Sequence, residues 1–430
     1  MAGFVQLLRN NRNYRWTWFG QVVSEVGDHF NNIAVFSLAL SNTKSGIVVS
    51  AVMLSRAVAM LGAGPLAGVV LDRLDRRRVM ILSDLTRALI AAAFMFAIPR
   101  DSTWLLYPLS ALLMFASPFF TSGRQAILPS IATSEELHTA NALTQTTQWT
   151  SLALGALFAG IAVDQFGYEW AFLLNASSFV FSAFCIWRLR VPSIIRAAHE
   201  SLTEVDWMRT WRDYRQGLRY MRSIPLLSAI AMIHVGWATG GGAAQILFGL
   251  FGEVVFNMGS RGIGTIWGCA GIGLVGGGVF AHWLGPKLSY AAYKRTVTIC
   301  YVLHGLTYVL FSQMANFAAA LVFIALSRAT VAVSSVLNMT HLLRHVDNAY
   351  RGRVFATLET LTWGVMMLSM TAAGAASEKY GPRTIGAIAG CLSSTTALFW
   401  AYADLRGMLP EPAAVGPEAD AVEVHGEPTA

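Results

Sequence analysis

Twelve apolar stretches, each long enough to cross a lipid bilayer, run through this chain of 430 residues. A hydrocarbon core about 30 Å thick needs roughly 20 apolar residues of helix, and inside lipid only helices and closed barrels satisfy every backbone polar group. Barrel strands alternate polar with apolar residues and these stretches do not, so the expected fold is an all-α membrane protein. The expected spans are 16–40, 46–71, 79–98, 104–124, 141–163, 169–189, 224–250, 262–284, 295–314, 317–342, 353–377 and 383–404. Composition agrees: 55% of the residues are hydrophobic and 13% charged, against roughly 25% charged in a soluble domain. A soluble core has no room for so much apolar surface.

An even number of spans puts both termini on one side. Of the 31 lysines and arginines, only Lys44, Arg100, Arg261, Lys379 and Arg383 fall in the loops after odd-numbered spans, whereas most of the others fall in the termini and in the loops after even-numbered ones. The positive-inside rule then makes both termini cytoplasmic in a cell inner (plasma) membrane. This topology accounts for the net charge of +7 without any nucleic acid partner. The apolar run after Arg9, Arg12 and Arg15 exceeds a signal-peptide core and lacks a small-residue cleavage pattern, so it is read as a retained first span. Cys185, Cys269, Cys300 and Cys391 all lie in apolar stretches without CxxC or Cys/His spacing, which predicts neither a disulfide framework nor a zinc site.

The longest interior connection, 190–223, divides the chain into six spans in 1–189 and six in 224–404. It interleaves Arg196, Arg209, Arg212, Arg215, Arg219 and Arg222 with Trp207, Trp211, Tyr214 and Tyr220. This spacing predicts an amphipathic linker helix at the anionic inner surface, with a partner-binding segment as the alternative. The end of the chain, 405–430, carries Glu411, Glu418, Asp420, Glu423 and Glu427, is rich in proline and has no lysine or arginine after Arg406. That is the composition of a disordered acidic tail.

Between the second and third spans stands Gly68-x-x-x-Asp72-Arg73-x-x-Arg76-Arg77. In pattern and position it is similar to the signature loop of the major facilitator superfamily, and the six-plus-six layout matches that family. The resemblance implies two pseudo-symmetric six-helix bundles and a cytoplasmic gate built on Gly68, Asp72, Arg73, Arg76 and Arg77. Asp75 stands where the family has a glycine. A fainter copy in the second half, Gly278-x-x-x-His282-Trp283-Leu284-Gly285-Pro286-Lys287, fits the internal repeats of transporter folds. Four further stretches resemble the branch that contains macrolide exporters and the enterobactin exporter: Asn13-Tyr14-Arg15 with Gly27-Asp28, Ser83-Asp84-Leu85-Thr86-Arg87-Ala88, Gly123-Arg124-Gln125-Ala126-Ile127-Leu128-Pro129 and Tyr350-Arg351-Gly352-Arg353-Val354. The proline-containing signature of another drug-antiporter branch is missing from span five.

Ionisable groups at membrane depth are costly and mark function. At about 1.5 Å per residue, Glu25 and Asp28 lie about 15 to 20 Å deep, one helical turn apart on a shared face. Arg56 reaches similar depth from the other side and is the expected partner of one of them. The other carboxylate is then available to a proton, a cation or substrate, Asp28 being the first choice and Glu25 the second; the alternative is a static packing network. In the second half Arg328 and Glu359 form the comparable pair, for coupling or simple mutual neutralisation, while His234 and His304 are either proton shuttles or packing residues. Asp84 and Arg87, near the inner end of span three, and Arg351 and Arg353, entering span eleven, are expected at the cytoplasmic gate. Asn31, Asn32, Gln145, Gln148, Trp149, His234 and Asn338 are candidate cavity-lining residues, and no metal site emerges from the spacing of His, Glu and Asp. In span eight, Gly264-x-x-x-Gly268 and Gly273-x-x-x-Gly277 predict close helix contact.

With the resemblance, these residues imply a secondary transporter driven by the proton gradient, with no other cofactor. Export of an amphipathic organic compound, a drug or a siderophore, by alternating access is the leading expectation. Alternatives are a lipid cargo such as a lysophospholipid, or a non-transporting membrane receptor. An enzyme is not expected, because the chain has no Walker loop, HExxH, GxSxG or cytoplasmic His/Asp box. The expected partners are a small-molecule or lipid substrate and membrane lipids, on a monomer.

Overall fold

The computed structural model describes residues 3–190 and 207–412. Fourteen α-helices and no strand occur among them: α1 (Phe4–Asn10), α2 (Arg12–Thr43), α3 (Gly46–Arg73), α4 (Arg76–Ala93), α5 (Leu106–Ile131), α6 (Ser134–Phe166), α7 (Tyr168–Trp187), α8 (Trp207–Ser223), α9 (Pro225–Leu250), α10 (Gly259–Leu284), α11 (Tyr290–Gln313), α12 (Phe317–His345), α13 (Asn348–Ala376) and α14 (Pro382–Leu405). Ten helical segments are long and apolar enough to cross a membrane. The helices expected as spans one and nine, α2 and α11, have sufficient length at 32 and 24 residues but carry too many polar groups to meet that test. The α2 helix alone holds Gln21, Glu25, Asp28, His29, Asn31 and Asn32, a composition that suits a helix buried among others rather than one facing lipid.

Helix ends are set by side-chain caps that satisfy orphan backbone N–H groups. Asn11 starts α2 by accepting from the Tyr14 N–H at 2.9 Å, and its amide donates to the Ile131 carbonyl at 2.7 Å and to Glu136 at 3.0 Å. One residue therefore ties the start of α2 to the end of α5 and the start of α6. Thr133 and Glu136 form a reciprocal capping box on α6. These caps carry α5 to Ile131 and begin α6 at Ser134, well beyond the span limits of 124 and 141 expected from hydropathy. Gly167, at φ +89°, makes the sharp joint between α6 and α7 in a backbone region that favours glycine.

Contacts group the described residues into two compact units. One joins the residues up to 190 with Ile246–Ile272 and Ala373–Pro382; the other joins the residues from 207 to Gln245 with Gly273–Ala372 and those from Arg383 to 412. In the first unit α2 packs on α6 and α7, α3 on α5, and α4 on α5 and α7. Its interior holds Met80, Phe120, Ile127, Ile131, Ile186 and Leu189, with Phe94 stacked on Phe172 at 5.3 Å. In the second unit α11 packs on α12, around a core that includes Leu226, Ile230, Tyr293, Val297, Leu337 and Trp400. There α8 docks on α13: Gly217 lies against the Arg353 carbonyl, and the Tyr220 and Tyr350 rings stack at 4.3 Å. The part of the linker before 207 lies outside the described residues, as does the tail from 413. Leu409, within the 405–430 segment expected to be disordered, is instead buried, and its carbonyl accepts from Lys294 at 3.3 Å.

The glycines of α10 permit close helix approach on two sides. In the first unit a Cβ on Gly264 would stand 2.5 Å from the Ala156 carbonyl oxygen and 2.6 Å from the Gly160 Cα; in the second, a Cβ on Gly277 would collide with the Ala329 carbonyl oxygen. Those neighbours are backbone and cannot step aside, so overpacking here costs about 1–3 kcal/mol or more. The adjacent Gly276 meets nothing within 4 Å. Gly277→Leu is therefore expected to lower the unfolding temperature of the purified protein by several degrees and Gly276→Leu to leave it within error. A scan of both variants in detergent checks this, and equal behaviour of the two would overturn the packing assignment.

Candidate functional site

The first unit holds three buried or half-buried acids and three buried arginines on four neighbouring helices. The acids are Glu25 and Asp28 on α2 and Asp84 on α4; the arginines are Arg56 on α3, Arg87 on α4 and Arg124 on α5, each no more than 9% exposed. Only one of these acids is held in a direct ion pair among the described residues. Asp84 and Arg87, one helical turn apart, bond to each other, and the Arg87 guanidinium lies over the rings of Phe120 and Phe179 at 4.7 and 4.3 Å. This pair, expected at the cytoplasmic gate, is buried inside the unit, where the charges of Arg87 and Arg56 both act on Asp28.

Asp28 itself makes no hydrogen bond among the described residues. Arg56, its expected partner, donates to the Asn32 side chain and acts on Asp28 only through space. Glu25 accepts from Gln21 at 2.8 Å through Oε1, while Oε2 is buried without a hydrogen-bond partner. The charges that reach it are Arg124 and Asp28. Gly27 allows α2 to approach Asn175 and Ser178 of α7, which fixes the rotation of α2 and directs Glu25 and Asp28 into the unit. Asn31 is 1% exposed with Oδ1 unpartnered.

Gln21 connects this cluster to a cavity of about 190 Å³ between α2, α5 and α6. Its wall mixes hydrogen-bonding and apolar groups: Tyr14, Thr17, Trp18 and Gln21 come from α2, Arg124, Gln125 and Leu128 from α5, and Asn141, Thr144, Gln145 and Gln148 from α6. Among the predicted lining residues, Gln145 and Gln148 are brought together here, while Trp149, the next residue, is not part of the wall. Arg124 was not singled out from the sequence as a site residue, because hydropathy places it at the edge of span four. Its signal was the Gly123-Arg124-Gln125 stretch, and the helix in fact runs about two turns further, to Ile131.

The second unit arranges its polar residues differently. Arg328 is 8% exposed and faces Tyr308 and His304, in a cleft with Gly240, Gly241 and Ser393 that leaves no room for a water molecule. The expected pairing of Arg328 with Glu359 is not formed: Glu359 is exposed on α13. The cause is helix phase, since Glu359 follows the buried pair Thr357 and Leu358 and points to the opposite side of α13. His304 bonds to the Ser327 hydroxyl at 2.7 Å, and His234 bonds within its own helix to the Ile230 carbonyl at 2.8 Å. Asn338, predicted to line a cavity, is 1% exposed, accepting from Tyr293 at 2.9 Å and donating to Ser334 at 3.3 Å. A satisfied amide inside an apolar core is helix glue.

Of the arginines of the expected gate, Arg77 and Arg351 lie on carbonyls at helix ends, where a cation complements the helix dipole. Arg76 donates to the Ala126 carbonyl at 2.8 Å, and Arg77 to those of Ile186 and Trp187. Arg351 donates to Leu343 at 2.8 Å and Val346 at 3.2 Å, while Arg353 lies 5.7 Å from the Tyr350 ring. Gly68 faces open space, and Arg73 is exposed at the end of α3. The Asp72 side chain lies outside the described residues. Asp75 replaces the family's glycine at no conformational cost: at φ −61° it caps α4, accepting from the Arg78 N–H at 2.8 Å.

The family model described as Major Facilitator Superfamily matches residues 17–367. Among curated proteins, the MFS-type transporter YfiS of Bacillus subtilis is 25% identical over 222 residues, 51% of this chain and 52% of its own length. The putative bacilysin exporter BacE of Bacillus subtilis is 24% identical over 353 residues, 81% and 84% of the two chains. Macrolide efflux protein A of Streptococcus pyogenes is 23% identical over 182 residues, 41% and 44%. The match thus spans about half the length of YfiS and most of BacE. Among solved structures, a bacterial homologue of the iron transporter ferroportin in its inward-facing state superposes with a TM-score of 0.68 at 16% identity, covering 91% of this chain and 98% of that one. At that identity the likeness speaks for the fold alone. The all-helical architecture, the family match across most of its length and relatives that are transporters rather than enzymes lead to one conclusion: this multi-pass membrane chain belongs to the Major Facilitator Superfamily.

Proposed function

We propose that this protein is a secondary active exporter that uses the proton gradient to move an amphipathic organic compound by alternating access. The observation that carries the reading is the set of buried charges in the first unit, where Glu25 and Asp28 each keep carboxylate oxygens without an ion-pair partner within bonding distance while Arg56, Arg87 and Arg124 surround them. Buried charge is costly when left unpaired, and a carboxylate poised between desolvation and nearby guanidinium groups changes its protonation state for a small change in surroundings. Asp28, acted on by two arginines and bonded to neither, is the proposed proton carrier. The relatives, a putative bacilysin exporter and a macrolide efflux protein, support the outward direction and an organic compound as cargo. The hydrogen-bonding side chains in the wall of the cavity beside Gln21 favour a cargo with a hydrogen-bonding end over a lysophospholipid tail.

The arrangement proposed for this function is twelve membrane-crossing helices in two halves of six, α2 and α11 included, in the inner membrane with both termini cytoplasmic and the protein acting as a monomer. Reconstituted in liposomes with an imposed pH gradient, the wild type is expected to transport at least one compound of a panel of macrolides and siderophores. Asp28→Asn is expected to reduce gradient-driven flux at least tenfold while the protein still folds. Flux that ignores the gradient and survives the substitution would make the α2 carboxylates structural.

Topology is checked independently by single cysteines introduced into a cysteine-free background. An impermeant maleimide added to intact cells is expected to label Asp101→Cys, and to reach Glu411→Cys only after permeabilisation; the reverse pattern would invert the orientation.

A further inference from the structure

The feature least explained by proton coupling is Arg124. The residue is 9% exposed, its Nε and Nη1 are buried without a hydrogen-bond partner, and no hydrogen bond or ion pair holds it among the described residues. A buried guanidinium carries five donors in a fixed fork, and leaving them unmade is expensive. Glu25 and Tyr14 act on it electrostatically, but Glu25 is turned to Gln21 through Oε1 and Tyr14 donates to the Ala140 carbonyl at 2.8 Å. Neither neighbour fills the fork.

Space for a ligand lies directly beside it, because Arg124 forms part of the wall of the cavity of about 190 Å³ between α2, α5 and α6. An apolar cavity of about 150 Å³ holds a benzene molecule, so this one admits the end of a compound and not the whole of it. Neutral hydrogen-bonding groups, Gln125, Asn141, Thr144, Gln145 and Gln148, share the wall with Arg124, together with Trp18 of α2 and Leu128 of α5. No acidic residue is among the wall residues. Such a wall excludes a cationic end group and accepts a planar oxyanion, whose two oxygens match the geometry of the fork.

We infer that the cavity beside Arg124 is the subsite for a carboxylate carried by the transported compound. The inference deepens the exporter reading and rests on it for the word transported; binding itself does not depend on flux. Arg124 acts as the anion receptor, and Gln145 and Gln148 supply further donors to the same group. Proton coupling is placed elsewhere, on Asp28, whose charge neighbours are Arg87 and Arg56.

The test is equilibrium binding of a matched pair of fluorescent probes, dansyl-phenylalanine and its methyl ester, to the full-length protein in nanodiscs. A charge-assisted contact of this kind corresponds to roughly tenfold to a hundredfold in affinity, so the wild type is expected to prefer the acid over the ester by at least tenfold. Arg124→Gln should bring the ratio to about one, Arg124→Lys should keep part of it, and Gln145→Trp, which fills the cavity but leaves the charge, should weaken the acid. Failure of the wild type to bind the acid, equal affinity for acid and ester, or an unchanged ratio in the Arg124→Gln and Gln145→Trp proteins overturns the inference. Gradient-driven flux of an uncharged macrolide is measured in parallel. If flux persists while acid binding is absent, the carboxylate site falls and the exporter reading stands; if the acid binds as expected but no compound is transported, the exporter reading falls and the site remains.

Discussion

The cost of placing charge in an apolar medium organises the first unit. Arg87 sits 3% exposed and Asp84 0% exposed, a burial that isolated ions do not survive. They are tolerated because they bond to each other one turn apart on α4 and because two aromatic faces, Phe120 from α5 and Phe179 from α7, cover the guanidinium. The pair therefore needs three helices in register. Once α4, α5 and α7 are held in this way, the face of α2 that packs against α7 through Gly27 has Asp28 within reach of Arg87, and Arg56 of α3 completes the surroundings.

Helix ends form a second layer of the same physics. Backbone carbonyls at the C-terminal ends of α7 and α12 have no partner within their own helices, and Arg77 and Arg351 supply one. The signature loop thus acts in this state as a set of caps that hold α4 against α5 and α7. Asp75 shows how a departure from the family pattern is absorbed: a carboxylate at a helix start satisfies an N–H and complements the dipole, so the turn does not depend on a glycine.

Much of this was legible without coordinates. Span lengths, the break near residue 190, the signature loop and the carboxylates of the first span are all local features, readable from hydropathy, helical repeat and spacing. The pairing of charges was not. Arg56 and Asp28 were matched by depth along their helices, yet depth says nothing about rotation about the helix axis, and the bond from Arg56 goes to Asn32. The same blindness to phase paired Arg328 with Glu359, which faces out on α13, and placed Asn338 at a cavity although Tyr293 and Ser334 satisfy it inside the core. Arg124 was hidden for a different reason. Hydropathy ends a span where polar residues begin, whereas the α5 helix continues to Ile131 and carries its arginine inside.

What the sequence determined by itself was the medium and the class of fold, because the bilayer imposes one rule on every residue of a span: an apolar side chain and a backbone that satisfies itself. It also determined which ionisable residues lie at membrane depth, since each breaks that rule visibly. Which of them touch was decided only by the tertiary structure. Contacts between helices depend on rotation and on close approach at glycines such as Gly27 and Gly264, and these are set by packing against helices distant in the chain. For the same reason the cavity beside Arg124 exists only once α2, α5 and α6 are assembled.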